Sequence, residues 1–222
     1  MMNGENKMQN YYTLARESIT EIEVKKSKFI GYVKGTASEE EALAYIAEIK
    51  KLHREATHHC SAFRIAGKLP LERYDDDGEP SKTAGLPMLS VLQGRELWNV
   101  TAVVVRYFGG TLLGTGGLTR AYSDSVRESL QENEPVYRQL FSVIDLNCPY
   151  HWNDKVAYEL NRQEISIGQI DYGERVSYEL FIEKEETEDF LVKFKQLTEA
   201  QAELEVIGEQ YGYYYEGKLI TD

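Results

Sequence analysis

A glycine-rich stretch between two arginines contains the residue types and spacing most suited to chemistry. Residues 103–122 read V-V-V-R-Y-F-G-G-T-L-L-G-T-G-G-L-T-R-A-Y. Backbone N–H groups of a glycine-rich turn that opens a helix can hold an anion, and the helix dipole adds to that attraction. The stretch therefore predicts either a phosphate site or a tight turn whose glycines supply positive φ angles and close packing.

The glycines match neither common nucleotide motif. A P-loop needs lysine directly after its last glycine, but Leu118 follows Gly117. A dinucleotide fingerprint begins at Gly114 and Gly116, yet Thr119 stands where its third glycine belongs. An anion site here would thus suit a phosphate backbone better than a free nucleotide. The candidate phosphate-binding residues are Arg106, Tyr107, Gly109, Gly110, Gly114, Gly116, Gly117, Arg120 and Lys82.

Arg106 has two interpretations, because an arginine inside an apolar strand is rarely buried without a partner. In the first interpretation, its side chain pairs with the acidic loop that precedes it, at Asp76 or Glu79. Alternatively, it forms a phosphate-binding and base-stacking surface with Arg120 and the neighbouring aromatic residues. The sequence leaves both alternatives open.

The acidic loop Asp75-Asp76-Asp77-Gly78-Glu79 offers oxygen ligands without the spacing of an EF-hand. We expect a solvated acidic turn with Gly78 at its corner, and no metal or other cofactor. The alternative is a magnesium site near Asp76 and Glu79 that also uses a substrate phosphate. No catalytic residue is assigned.

Three residues with reactive side chains follow one another at positions 58–60, as histidine, histidine and cysteine. Alternation along a strand places His58 and Cys60 on one side and His59 on the other. No second pair of cysteines or histidines lies at zinc-site spacing.

The periodicity of apolar residues predicts an α+β protein of two domains. Residues 1–136 read as strands and helices that form the first domain. Residues 137–222 follow the order βαββαβ, which is the ferredoxin-like arrangement. The boundary is expected beside Pro135, where apolar anchors are few. Further expectations are a capping box formed by Ser38 and Glu41, strands over residues 17–34, 58–65 and 101–108, and a helical stripe of Leu118, Tyr122, Val126 and Leu130.

Charge differs strongly between the two halves. Residues 1–138 carry 18 lysines and arginines against 19 aspartates and glutamates, whereas residues 139–222 carry 7 against 18. The acidic half opposes nucleic acid, so phosphate binding is expected in the first domain. The N-terminus lacks the apolar stretch of a secretory signal, and no apolar run is long enough to cross a membrane. The two cysteines lie in different domains, so a disulfide is not expected. We therefore expect a cytoplasmic protein without a membrane partner.

Four segments together resemble the YigZ/IMPACT family, in its bacterial branch. They are S-K-F-I (27–30), A-T-H-H-C-S-A-F-R-I (56–65), D-D-G-E-P-S-K-T-A-G-L-P (76–87) and residues 103–122. The resemblance implies a first domain similar to domain 2 of a ribosomal small-subunit protein and domain IV of elongation factor G. It also implies a shared surface that includes Asp76, Asp77, Gly78 and Glu79. Lys82 stands where the family more often has glycine, so either the loop needs no positive φ there or the lysine adds a cation.

Our leading functional hypothesis is a non-enzymatic, translation-linked protein that binds RNA or the ribosome through its first domain. The alternative is a metal-assisted hydrolase or transferase that acts on a phosphorylated substrate at the D-D-G-E-P-S and glycine-rich face. A third hypothesis is an adaptor with a protein partner at the C-terminal domain, through the tyrosine-rich strand 211–215.

Overall fold

Two compact units divide the chain, Met1–Tyr137 and Arg138–Asp222, and we call them the first and second unit. The structure is a computed structural model that describes residues 10–222. The domain boundary expected from the sequence, between residues 136 and 137, lies one residue before this division. None of the helices in the described part of the chain has the length and apolar character needed to cross a membrane.

The first unit is a five-stranded antiparallel sheet with helices on both faces. Its elements are β1 (Tyr11–Leu14), β2 (Ser18–Val24), β3 (Ser27–Gly35), α1 (Glu39–Leu52), β4 (His58–Ile65), β5 (Leu71–Asp75), α2 (Gly85–Gly94), β6 (Val100–Tyr107) and α3 (Thr115–Gln131). The strand order in the sheet is β2-β3-β6-β4-β5.

Alternation along β6 distributes its side chains to two apolar cores. Ala102 and Val104 pack beneath α2 and α3, in the larger core with Phe29. Val103 and Val105 pack on the opposite face, with residues of α1. Because side chains of a strand point alternately to the two faces, Arg106 faces α2 and α3, while Tyr107 faces α1.

The start of α1 and the buried face of α3 agree with the sequence patterns. The hydroxyl of Ser38 accepts a hydrogen bond from the amide of Glu41, which starts α1 as the capping box predicted. The predicted apolar stripe of α3 is buried at all four positions: Leu118, Tyr122, Val126 and Leu130.

The second unit has the element order βαββαβ that the periodicity predicted, followed by one more strand. The elements are β7 (Pro135–Cys148, which begins before the division), α4 (Tyr150–Arg162), β8 (Ser166–Tyr172), β9 (Val176–Glu183), α5 (Thr187–Leu197), β10 (Glu203–Tyr215) and β11 (Lys218–Thr221). Its five antiparallel strands lie in the order β11-β10-β7-β9-β8. Both helices contribute to its apolar core, and Cys148, like Cys60 in the first unit, is buried and free.

Candidate functional site

The glycine-rich loop between β6 and α3 rests directly on the turn that joins β2 to β3. A Cβ atom added at Gly109 would lie 2.0 Å from the backbone carbonyl of Lys26, so only glycine fits this position. The hydroxyl of Ser27 accepts hydrogen bonds from the Gly109 amide at 3.1 Å and from the Arg106 guanidinium at 3.4 Å. The loop is therefore fixed at its first glycine by the neighbouring strands.

Beyond Gly109 the loop is open to solvent. Gly110 and Gly114 have φ angles of 82° and 72°, which glycine adopts at no steric cost. Gly114 is the N-cap of α3, and no side chain caps the helix. Gly110, Gly114 and Gly116 are exposed, with nothing within 4 Å of a Cβ built on any of them. The 17-residue helix α3 thus begins with exposed residues and no side-chain cap, as an anion site requires.

Arg106 is the buried partner of Glu79, which is the first of the two alternatives that the sequence left open. Their side chains are 6 % and 3 % exposed, and the Arg106 Nη1 to Glu79 Oε1 distance is 2.5 Å. The hydroxyl of Tyr122 donates to the same Glu79 oxygen at 2.8 Å. Arg106 also lies over the ring of Phe29, 5.4 Å from its centroid. Because it is enclosed by these groups, Arg106 holds the acidic loop against β6 and does not present its charge to solvent.

The carboxylate of Asp76 is bound by the backbone of its own loop. It accepts hydrogen bonds from the amides of Lys82 at 2.7 Å, Ala84 at 3.0 Å and Gly85 at 2.8 Å. These bonds close the loop and satisfy amides at the beginning of α2, where Ala84 offers no side-chain cap.

Asp77 is held by two elements of the first unit. Its carboxylate accepts from the His59 amide at 2.6 Å and from Lys50 at 3.0 Å. Burial raises the pKa of the Asp77 carboxyl, but these hydrogen bonds outweigh that effect and hold the pKa below its usual value. The carboxylates of Asp76, Asp77 and Glu79 are thus all engaged inside the unit. Within residues 10–222, no group of three or more histidine, cysteine, aspartate or glutamate side chains is arranged to hold a metal ion.

The histidines and cysteine of β4 face as alternation predicted, and His58 and Cys60 bind the acidic loop from one side of the sheet. His58 Nδ1 donates to the Asp77 carbonyl at 2.8 Å, and the Cys60 thiol donates to the Asp76 carbonyl at 3.1 Å. His59 lies on the other face, where its Nε2 donates to the His53 carbonyl at 2.9 Å. Burial raises the pKa of the Cys60 thiol, so it stays protonated and unreactive at neutral pH.

Tyr107 lies on the α1 face, away from Arg106. Its hydroxyl is 2.9 Å from His53 Nδ1, and the Tyr32 hydroxyl is 2.6 Å from His53 Nε2. Burial, with the nearby His59 and Lys28, lowers the pKa of His53. Alternation therefore separates Tyr107 from the other candidate phosphate ligands.

Exposed cations around the glycine-rich loop include Arg120, Lys82 and two lysines that the sequence did not single out. Among the described residues, neither Arg120 nor Lys82 forms an ion pair. Lys82 and Thr119, the neighbour of Arg120, line one groove of about 380 Å³ between α2 and α3. Lys25 and Lys26 are exposed in the β2–β3 turn on which Gly109 rests. A K-K pair between two alternating segments indicates a hairpin turn, but nothing in it signals which loop the turn will contact.

Lys82 keeps the left-handed conformation that glycine would adopt, with a φ of 63°. A side chain in this conformation costs about 1–2 kcal/mol, partly offset by the greater freedom of glycine in the unfolded chain. We expect Lys82→Gly to stabilise the first unit by about 1 kcal/mol, measured by urea unfolding. Lys82→Ala removes the cation but keeps the strain, so it should give no such gain. Equal stability of the two variants would contradict this account of Lys82.

Comparison with known proteins matches both units. Residues 25–130 match the Impact N-terminal domain, and residues 146–201 match a domain of unknown function, DUF1949. The chain is 40 % identical over 197 residues to the IMPACT family member YvyE of Bacillus subtilis, covering 89 % of this chain and 91 % of that protein. It is 34 % identical over 190 residues to the IMPACT family member YigZ of Escherichia coli, covering 84 % and 93 %.

A solved structure supports the same relationship. The crystal structure of a hypothetical protein, 32 % identical, aligns over 90 % of this chain and 98 % of that one with a TM-score of 0.58. The sequence segments that carry the resemblance are those that build the loops around Glu79 and Gly109. The chain therefore belongs to the IMPACT family, as a member with an Impact N-terminal domain followed by a DUF1949 domain.

Proposed function

We propose that the protein binds RNA, in connection with translation, through a surface that we call the glycine-loop face. This face comprises the exposed cations Lys25, Lys26, Lys82 and Arg120 together with the loop 110–117, since the Gly109 amide is already bonded to Ser27. One observation carries the proposal: the carboxylates of Asp76, Asp77 and Glu79 are bonded to groups of the unit itself, while four cations around the glycine-rich loop face solvent. A phosphate backbone is the ligand that such a surface suits best.

The engaged carboxylates of the acidic loop support this function indirectly. Each carboxylate of Asp76, Asp77 and Glu79 is bound by protein donors, so an approaching phosphate meets little unpaired negative charge from the loop. Arg106 contributes by fixing Glu79 and sharing Ser27 with the Gly109 amide. In the proposal, Arg106 positions the loop, and the groups that contact phosphate are Arg120, the lysines and the loop amides.

The acidic second unit sharpens the choice of ligand. Its excess of carboxylates repels bulk nucleic acid and confines any phosphate contact to the first unit. A structured or protein-bearing RNA target is therefore favoured over bulk RNA, and the ribosome is the proposed example. The translation-linked role is our proposal from the family resemblance and this surface taken together.

The metal-assisted hydrolase or transferase stays the alternative. It needs carboxylates that are free to hold a divalent cation, and those of the acidic loop are engaged with amides, Lys50, Arg106 and Tyr122. A thermal-shift scan with magnesium, manganese and nucleotides separates the two functions. A ligand present at about 100 times its Kd would add about 2.7 kcal/mol of stability, so a clear shift would favour the enzyme.

The proposal is tested by co-sedimentation of the full chain with ribosomes at low and near-physiological salt. The test variant is Lys26→Gly/Arg120→Ala, in which glycine preserves the positive φ of 65° at position 26. We expect salt-sensitive binding by the wild type that is lost in the variant. With single-stranded RNA, the slope of log K against log salt should flatten by about 0.7 for each phosphate contact removed.

A matched control removes two exposed cations on the other side of the sheet. Lys51→Ala/Arg54→Ala alters residues at the end of α1, which packs against the face opposite α3. It should leave binding and its salt slope unchanged. Absence of wild-type binding at either salt would refute the proposal, and equal loss in both variants would refute the assignment to the glycine-loop face.

A further inference from the structure

The second unit contains a groove of about 1190 Å³ that the RNA-binding proposal does not use. One side is formed by β8 with the end of α4, through Ser166, Ile167 and Gly168. The other side is the β10–β11 hairpin, which contributes Tyr214 and Leu219. Half-buried Phe181 of β9 lies between them. The groove is thus lined by both ends of one sheet and belongs entirely to the second unit.

Both edges of that sheet line the same groove. Within the described residues, β8 pairs only with β9, and β11 pairs only with β10, so each presents one unpaired side. The Ser166 hydroxyl donates to the Tyr214 hydroxyl at 3.0 Å, which brings the two sides together. A strand edge displays backbone N–H and C=O groups that a further extended chain can pair with. A segment lying in this groove would meet two such edges.

The charge of the groove selects the kind of segment. Three carboxylates, of Glu164, Glu183 and Glu186, line it against a single cation, Lys218. In the described part of the chain none of these three glutamates forms an ion pair. The unit as a whole carries 18 acidic against 7 basic residues over positions 139–222. Nucleic acid is therefore repelled, and a cationic chain is attracted.

We propose that this groove binds an extended segment of a partner protein in which lysine or arginine alternates with apolar residues. The backbone of the segment pairs with the open edges of β8 and β11, which is the mode of peptide recognition by strand addition. Its apolar side chains lie on Ile167, Phe181 and Leu219, and its basic side chains reach the three glutamates. The inference is independent of RNA binding by the first unit.

The test uses the full-length protein and fluorescein-labelled synthetic peptides of about ten residues, the length of a long strand. One peptide alternates lysine and valine, a second alternates glutamate and valine, and a third alternates lysine and proline. We expect fluorescence anisotropy to show binding of the lysine–valine peptide alone. The proline peptide has the same charge but cannot donate backbone hydrogen bonds at every second residue. Hydrogen exchange should show that the bound peptide protects amides of Ser166–Tyr172 and Lys218–Thr221.

Two charge-matched variants locate the site. Glu164→Gln/Glu183→Gln/Glu186→Gln should weaken binding about tenfold, because each exposed charge pair contributes modestly. Glu188→Gln/Glu199→Gln/Glu205→Gln removes the same charge from exposed residues that do not line the groove, and should bind like the wild type.

Several results would overturn the proposal. They are equal binding of the lysine–valine and lysine–proline peptides, equal effects of the two triple variants, or no binding of the lysine–valine peptide at about 1 mM. Light scattering that showed a dimer formed through this groove, with the peptide unable to compete, would assign the groove to a second copy of the chain instead.

Discussion

Arg106→Ala is expected to destabilise the first unit by about 3–5 kcal/mol. The substitution leaves the Glu79 carboxylate almost fully buried, at 3 % side-chain exposure, without its charged partner. Removing one member of a buried ion pair has this cost because the remaining charge is neither solvated nor paired. The measurement is urea unfolding followed by fluorescence of Trp98, the tryptophan of the first unit, in a Trp152→Phe background.

The controls distinguish a buried charge from lost packing. Glu79→Leu/Arg106→Met removes both charges and should cost clearly less than Arg106→Ala. The surface pair of Arg127 and Asp124, with side chains 51 % and 53 % exposed, provides the reference. Arg127→Ala should change stability by less than about 1 kcal/mol. If Arg106→Ala had an effect as small as Arg127→Ala, the central structural role of the Arg106–Glu79 pair would be wrong.

Gly109→Ala should destabilise the first unit by about 3 kcal/mol, the upper range for forcing an atom into a filled space. The added methyl group would lie 2.0 Å from the carbonyl carbon and oxygen of Lys26 and 2.4 Å from the amide nitrogen of Ser27. These are backbone atoms of the β2–β3 turn, so relief requires the loop to separate from the sheet. Because the Gly109 amide and Arg106 both donate to Ser27, the same shift should loosen the region around Glu79.

Gly116→Ala is the matched control in the same loop region. Its Cβ would meet nothing within 4 Å, and the residue lies in the first turn of α3. Alanine is a better helix former than glycine by about 1 kcal/mol, so this variant should be neutral or slightly stabilising. Opposite signs for the two glycines would show that close packing acts at Gly109 alone. Equal destabilisation would mean that the loop as a whole, rather than its contact with Lys26, limits stability.

The two predictions concern residues that hold the proposed surface and do not themselves form it. Arg106 and Gly109 connect the acidic loop, the β2–β3 turn and β6. The residues proposed to contact phosphate lie outside this framework and are exposed. A destabilising change at Arg106 would abolish binding because the surface loses its structure. The binding test therefore changes Arg120 and Lys26 instead.

Local patterns predicted most of the helices and strands, and also which of their side chains share a face. The strand 58–65 is observed with the predicted ends, and His59 lies opposite His58 and Cys60. The stripe of α3 is buried because its spacing already specifies one helical face. Short or charged strands were not predicted. Strand β5 reads L-E-R-Y-D and pairs at a sheet edge, where buried and exposed residues do not alternate clearly. On α1, the apolar side chains of Leu43 and Leu52 are exposed, while Tyr45 and Ile49 are buried.

The sequence by itself determined the α+β class, the family and the acidic second half, since these depend on residue order and local periodicity. For the Arg106 side chain it left two alternatives, a pair with the acidic loop or a contact with phosphate. The tertiary structure alone decided between them, because a side chain 27 positions away supplies the carboxylate. It alone placed Lys25 and Lys26 beside Gly109 and brought two sheet edges to one acidic groove. Such neighbours are far apart in sequence, and only the packing of strands and loops sets the distance between them.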